Sequence, residues 1–68
     1  MSVFKFHLFQ VVRHIKTDTV YRIHGTPDML FIHKDMVPAY LYQDPVTMNL
    51  YVRPKEEMEK RFEAVKDV

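Results

Sequence analysis

Two short runs in the second half of the chain, Pro38–Gln43 (PAYLYQ) and Asn49–Arg53 (NLYVR), constrain the fold more than any other feature. Each alternates in the period of two expected of a strand. Asp44-Pro45 opens the stretch between them with turn chemistry, so the runs form an antiparallel hairpin with a loop of about five or six residues. If Tyr42 pairs opposite Tyr51, Tyr40 falls opposite Arg53. The four then share one face of the hairpin, and Leu41, Leu50 and Val52 fill the other.

After Pro54 the period changes. Met58, Phe62 and Val65 recur at i, i+4 and i+7, which predicts one apolar stripe on a helix over about 54–66. Proline suits the first helical position, where its missing N–H would be unpaired anyway. Glu56 and Glu57 favour the positive end of the helix dipole. Glu56 with Lys60 and Glu57 with Arg61 are i, i+4 pairs, worth about 0.2–0.5 kcal/mol each. Arg53 carries the wrong charge for this helix end, so it reads as a strand-end residue bordering a surface rather than as a helix stabiliser.

Upstream, Phe4, Phe6 and Leu8 alternate with Lys5 and His7, which predicts a strand over Val3–Phe9. Phe9 breaks the alternation, and Val11, Val12 and Ile15 follow in a second phase, as a bulge near Phe9 would produce. Lys16–Thr19 reads as a turn and Thr19–His24 as a strand, ended by Gly25-Thr26-Pro27-Asp28. Met29–Ile32 is too short to assign, and His33–Val37 reads as loop. Four or five short antiparallel strands and a C-terminal helix suggest a mainly β domain, a small curled sheet or partial barrel.

At 68 residues the chain is a single domain. A chain this short buries only about 60% of its unfolded surface. With 47% of residues apolar, a partner chain would help to cover them. There is no cysteine, hence no disulfide framework and no thiolate site, which fits a reducing cytoplasm. The start of the chain is interrupted by Lys5, His7 and Gln10, unlike a signal peptide, and no run approaches the roughly 20 apolar residues of a membrane span. A net charge of +1 provides no global basic field for nucleic acid.

The residues Arg13-His14-Ile15-Lys16, Val20-Tyr21-Arg22-Ile23, Ala39-Tyr40-Leu41-Tyr42 and Leu50-Tyr51-Val52-Arg53-Pro54 follow one another in a familiar order. Over about residues 12–62 they resemble a small bacterial domain family of unknown function, whose pattern runs Y-R-H-Y-K-G, L-Y-x-V, V-V-Y-x-A-L-Y and L-W-V-R-P. Tyr51 stands where that family usually has tryptophan, Ile15 replaces an aromatic, and Thr17 replaces a glycine. The resemblance implies a compact SH3-like antiparallel barrel in a small bacterial or phage-type protein. It brings no catalytic residue with it.

Candidate chemistry is sparse. The single glycine, Gly25, excludes a glycine-rich phosphate loop. His7, His14, His24 and His33 lack the close spacing of zinc ligands, and neither a metal nor another cofactor is expected. Ser2 is the only serine, the aspartates fall in predicted turns, and the glutamates read as a solvated helix face, so an enzyme is not expected. The alternation of Arg22 and His24 with Tyr21 and Ile23 allows those two to join the hairpin's aromatic face. Arg22, His24, Tyr40, Tyr42, Tyr51 and Arg53 would then make one curved aromatic-basic surface. Taken singly, each is explained by cross-strand packing. Taken together on a solvent face, they point to a small non-catalytic binding or adapter module that engages a protein partner. The alternative is single-stranded nucleic acid or a nucleotide-like ligand stacked on the tyrosines. The five methionines and the Phe4–Leu8 strand make a homo-oligomer a further expectation, with pairing along that strand's edge as one route.

Overall fold

The computed structural model describes residues 4–32 and 35–65. Its elements are β1 (Val11–His14), β2 (Val20–Gly25), β3 (Phe31–Ile32), β4 (Val37–Gln43), β5 (Leu50–Pro54), α1 (Lys55–Arg61) and β6 (Phe62–Ala64). All strand pairings are antiparallel. β4 is central: β2 and the short β3 pair with it, and β5 pairs with it as well. From β2 the sheet continues through β1 to β6. Among the described residues β5 and β6 do not pair, so the sheet is not closed, and α1 lies between them in the chain.

The hairpin forms in the register expected from its alternation. Tyr42 lies opposite Tyr51, Tyr40 opposite Arg53, and Leu41 opposite Val52. The unassigned run Met29–Ile32 contributes β3, which pairs Phe31 with Pro38 and Ile32 with Val37. The loop expected over His33–Val37 falls partly outside the described residues, and Val37 itself starts β4. Gly25 ends β2 where the register shifts between Ile23 and Gly25, and a Cβ added there would lie 3.0 Å from Leu41 Cβ. The single glycine therefore permits a close strand approach rather than a left-handed turn.

The N-terminal strand is a correction. Residues 4–10 form no strand, and Val3 lies outside the described residues. The reason is in their backbone donors. Lys5 N–H donates to Glu59 Oε2 at 2.8 Å, and Phe6 N–H donates to the Tyr40 hydroxyl at 3.1 Å. Side chains of the helix and of β4 thus take the bonds a neighbouring strand would have taken. The expected bulge is present: Phe9 N–H donates to Ile23 C=O while Gln10 C=O accepts from Ile23 N–H, so two residues oppose one. Phe9 has φ 67°, a conformation that bulky side chains rarely adopt.

The helix is shorter than its apolar spacing predicts. It ends at Arg61, and Phe62 is already extended at φ −121°, ψ 159°. Phe62, Glu63 and Ala64 then pair with His14, Arg13 and Val12. A seven-residue helix has little stability of its own, so pairing with β1 wins over helical continuation. Two further contacts favour the strand: Arg13 forms an ion pair with Glu63, and Ile15 N–H donates to Arg61 C=O. Of the predicted stripe, Met58 and Phe62 are buried, but from different elements.

The core consists of Phe6, Val12, Ile23, Tyr40, Tyr42, Met58 and Phe62. Tyr40 is fully buried, and its hydroxyl donates to Glu59 Oε2 at 2.6 Å while accepting from Phe6 N–H. Removing that oxygen leaves a buried N–H without its partner and takes a donor from Glu59. We expect Tyr40→Phe to destabilise the domain by about 1–3 kcal/mol, measured by urea unfolding, whereas Tyr51→Phe should leave the midpoint nearly unchanged.

Candidate functional site

The six residues expected to form one surface are divided between two faces. The register Ile23↔Tyr42 puts Ile23 on the same face as Tyr42. Tyr21, two residues away, shares that face. Its ring meets Tyr42 edge-on at 5.1 Å and Tyr51 at 5.9 Å. Arg22 and His24 consequently leave from the opposite side of β2. Arg22 is exposed there, with Nη1 at 3.5 Å from the Phe9 carbonyl, and the His24 ring lies edge-on to exposed Phe9 at 5.8 Å. The expectation that Arg22 and His24 join the tyrosines is therefore corrected.

The aromatic face is also turned inward rather than toward solvent. Tyr40 and Tyr42 are 0% and 3% exposed. Tyr42 stacks on Tyr51 at 5.5 Å and meets Phe62 at 5.3 Å. Only Tyr51, at 40% exposure, reaches solvent substantially, as the outer member of the stack. Tyr40 and Tyr42 are not available as stacking platforms for a base. Tyr21 and Phe62 belong to the cluster but were not singled out among the site residues. Tyr21 could have been found from its phase with Ile23, whereas Phe62 was read as helical.

Arg53 closes this cluster. Its Nε donates to the Tyr42 hydroxyl at 3.2 Å, its Nη1 donates to Glu57 Oε1 at 2.6 Å, and its guanidinium lies 5.6 Å from the Phe62 ring centroid. The Tyr42 hydroxyl foremost, and Glu57 after it, hold the guanidinium pKa above its ordinary value despite the opposing effect of burial. Arg53 does brace the helix after all: the wrong charge for the dipole is the right charge for Glu57. That carboxylate also meets Arg61 at 3.5 Å, the expected i, i+4 pair. Lys55 with Glu59 at 3.1 Å, rather than Glu56 with Lys60, forms the other pair on this helix.

Arg13 and His14 are also engaged within the fold. Arg13 bridges Asp18 and Glu63, with Glu63 the larger influence in raising its pKa. His14 packs edge-on against Phe62 at 4.8 Å, and its Nδ1 lies 3.1 Å from Thr17 Oγ1. Among the described residues no group of three His, Cys, Asp or Glu could hold a metal ion; His33 lies outside them. No helix is long and apolar enough to cross a membrane among the described residues.

The exposed candidate surface is the other side of the hairpin. Leu50 and Val52 on β5 are 60% and 48% exposed, and Leu41 lies beside Val52 on β4. The connecting turn adds Val46 and Met48, with Met48 at φ 66°. Asp44 Oδ1 accepts from Val46 N–H at 2.8 Å, which explains an aspartate at the head of this turn. The resulting ridge is apolar, and Tyr51 lies on the opposite face of the hairpin. No family model matches the chain, and neither a curated protein nor a solved structure does.

Two of the engaged groups make stability depend on pH. Burial alone would raise the Glu59 pKa, but hydrogen bonds from the Tyr40 hydroxyl, Lys5 N–H and Lys55 outweigh it and hold it below its ordinary 4.5. Its stabilisation is present above that value and is lost as pH falls through the lower folded pKa. Burial first, and the bond to Glu59 second, raise the Tyr40 phenol above its ordinary 10.0. Its stabilisation is full below that value and is lost as pH rises. We expect thermal midpoints to decline at both extremes, Glu59→Gln to flatten the acid limb, and Tyr40→Phe to flatten the alkaline limb.

Proposed function

We propose that the chain is a small non-catalytic module that binds protein, acting in the cytoplasm through the exposed ridge of its β4–β5 hairpin. The observation that carries this reading is the group of exposed apolar residues Met48, Leu50 and Val52 on the β4–β5 hairpin. Apolar side chains grouped on a rigid hairpin are characteristic of interaction surfaces, unlike scattered exposed ones. The carboxylates Glu57, Glu59 and Glu63 are each engaged with a basic partner or a phenol, which supports a structural rather than a catalytic use of them.

The architecture we favour is an SH3-like barrel. Its support is the succession of antiparallel strands, the return of β6 to the side of β1, and the resemblance carried by Leu50–Pro54. In this reading the inner aromatic stack stiffens the hairpin, and the outer ridge contacts the partner.

The test is capture from cell lysate on immobilised protein, with and without nuclease, comparing wild type with Met48→Ser/Leu50→Ser. Circular dichroism first establishes that the variant is folded. We expect a protein retained by the wild type at least tenfold better than by the variant, and insensitive to nuclease. Retention that is equal on both, or that disappears with nuclease, would overturn the reading.

A further inference from the structure

The chain has four arginines, and three of them are neutralised within the fold. Arg13 pairs with Asp18 and Glu63, while Arg53 and Arg61 both pair with Glu57. Arg22 has no such partner among the described residues, although it stands in the middle of the sheet. Its cross-strand neighbours are Val11 on β1 and Gln43 on β4, and Val20 and His24 flank it along β2. None of the four is acidic. One long hydrogen bond is made, from Nη1 to the Phe9 carbonyl at 3.5 Å. The guanidinium edge formed by Nε and Nη2 is left without an acceptor among the described residues, and such an edge holds a carboxylate through two parallel bonds.

Arg22 lines a cleft of about 480 Å³, within the usual size range of ligand sites. Leu8, Phe9, Val11, Ala64 and Val65 supply its apolar walls, and His7 and Gln10 complete the described lining, which contains no carboxylate. The wall over residues 7–10 is a turn fastened twice. Gln10 N–H donates to His7 C=O at 3.1 Å, and His7 N–H donates to Gln10 Oε1 at 3.0 Å. With Oε1 occupied in this way, Gln10 Nε2 keeps its hydrogens for a ligand. The same turn holds Phe9 at φ 67° with its side chain exposed, so burial of the ring does not offset the strain. Backbone strain of this kind concentrates at ligand sites.

We infer that this cleft binds the free C-terminus of a polypeptide that ends in an aliphatic residue. The carboxylate takes the open edge of Arg22, the aliphatic side chain rests among Leu8, Val11 and Val65, and Gln10 Nε2 donates to the preceding carbonyl. One guanidinium among apolar walls suits a monoanion on a hydrocarbon body. A phosphate group brings more charge and more acceptor oxygens than this lining matches. His7, Leu8 and Phe9 are exposed, so the cleft is open on their side and leaves room for the rest of a chain. Gln43 lies opposite both Arg22 and Leu50, which puts the cleft and the hairpin ridge on one face of the sheet. The carboxylate site nevertheless stands on its own residues and does not rest on the ridge.

The test is fluorescence anisotropy with the full chain titrated into a labelled, otherwise uncharged peptide ending in leucine. Two companions are the same peptide with its C-terminus amidated and the same peptide ending in glycine. We expect the leucine acid to bind about tenfold tighter than its amide. Arg22→Gln should remove that preference at an unchanged thermal midpoint, because the side chain is exposed and makes no ion pair among the described residues. Leu8→Ala should narrow the preference for leucine over glycine by about threefold. Met48→Ser/Leu50→Ser should leave peptide binding unchanged, so failure of this site and failure of the ridge are read separately. Equal binding of acid and amide, or a preference that survives in folded Arg22→Gln, would overturn the inference. Octanoate and inorganic phosphate serve as competitors. Displacement by octanoate over the peptide's own concentration range would assign the cleft to a small fatty acid, and displacement by phosphate to a phosphate group; either result would overturn the polypeptide assignment.

Discussion

The Tyr40 hydroxyl joins three parts of the chain that have no backbone pairing with one another. It accepts from Phe6 N–H, donates to Glu59 on α1, and is carried by the central strand β4. The same Glu59 accepts from Lys5 N–H and Lys55, so one carboxylate and one phenol fasten the N-terminal segment and the helix to the sheet. In a domain this small, where few side chains are wholly buried, a fully satisfied polar contact in the core specifies one arrangement as well as stabilising it. With α1 held there, Phe62 can enter both the core and the strand beside β1.

This arrangement decides which face of the hairpin is available. Tyr40 can reach Glu59 and Phe6 only by pointing inward, and the alternation of β4 and β5 then turns Tyr42, Tyr51 and Arg53 inward with it. Leu41, Leu50 and Val52 are left outside. The aromatic-basic side therefore serves as scaffold, and the aliphatic side is the exposed one. Arg53 belongs to that scaffold through Tyr42, Glu57 and Phe62 rather than to a solvent-facing site.

Much of the fold is legible in the residues. The hairpin register was readable because two tyrosines and their alternation leave few ways to pair the runs, and the bulge at Phe9 because a break in periodicity has a local cause. The inward direction of the hairpin was not readable. Both its faces are apolar enough to form a core, and the choice depends on Glu59, far away in sequence. The same contact hid the fate of Phe4–Leu8, whose alternation matches a strand while its N–H groups go to side chains. The helix end was obscured because i, i+4 spacing of Met58 and Phe62 suits a helix equally well as a helix followed by a strand. Arg22 and His24 were misplaced for a simpler reason: Tyr21 and Ile23 carry the same phase and are the better core residues.

The central claim is that the tyrosine face of the hairpin is interior. The most direct measurement is proton NMR of the tyrosine rings in the presence of a soluble paramagnetic probe. The account predicts strong broadening of Tyr51, protection of Tyr40 and Tyr42, and ring-to-ring NOEs from Tyr40 to Phe6 and from Tyr42 to Phe62. Equal broadening of Tyr40, Tyr42 and Tyr51 would place the aromatic face in solvent and contradict it.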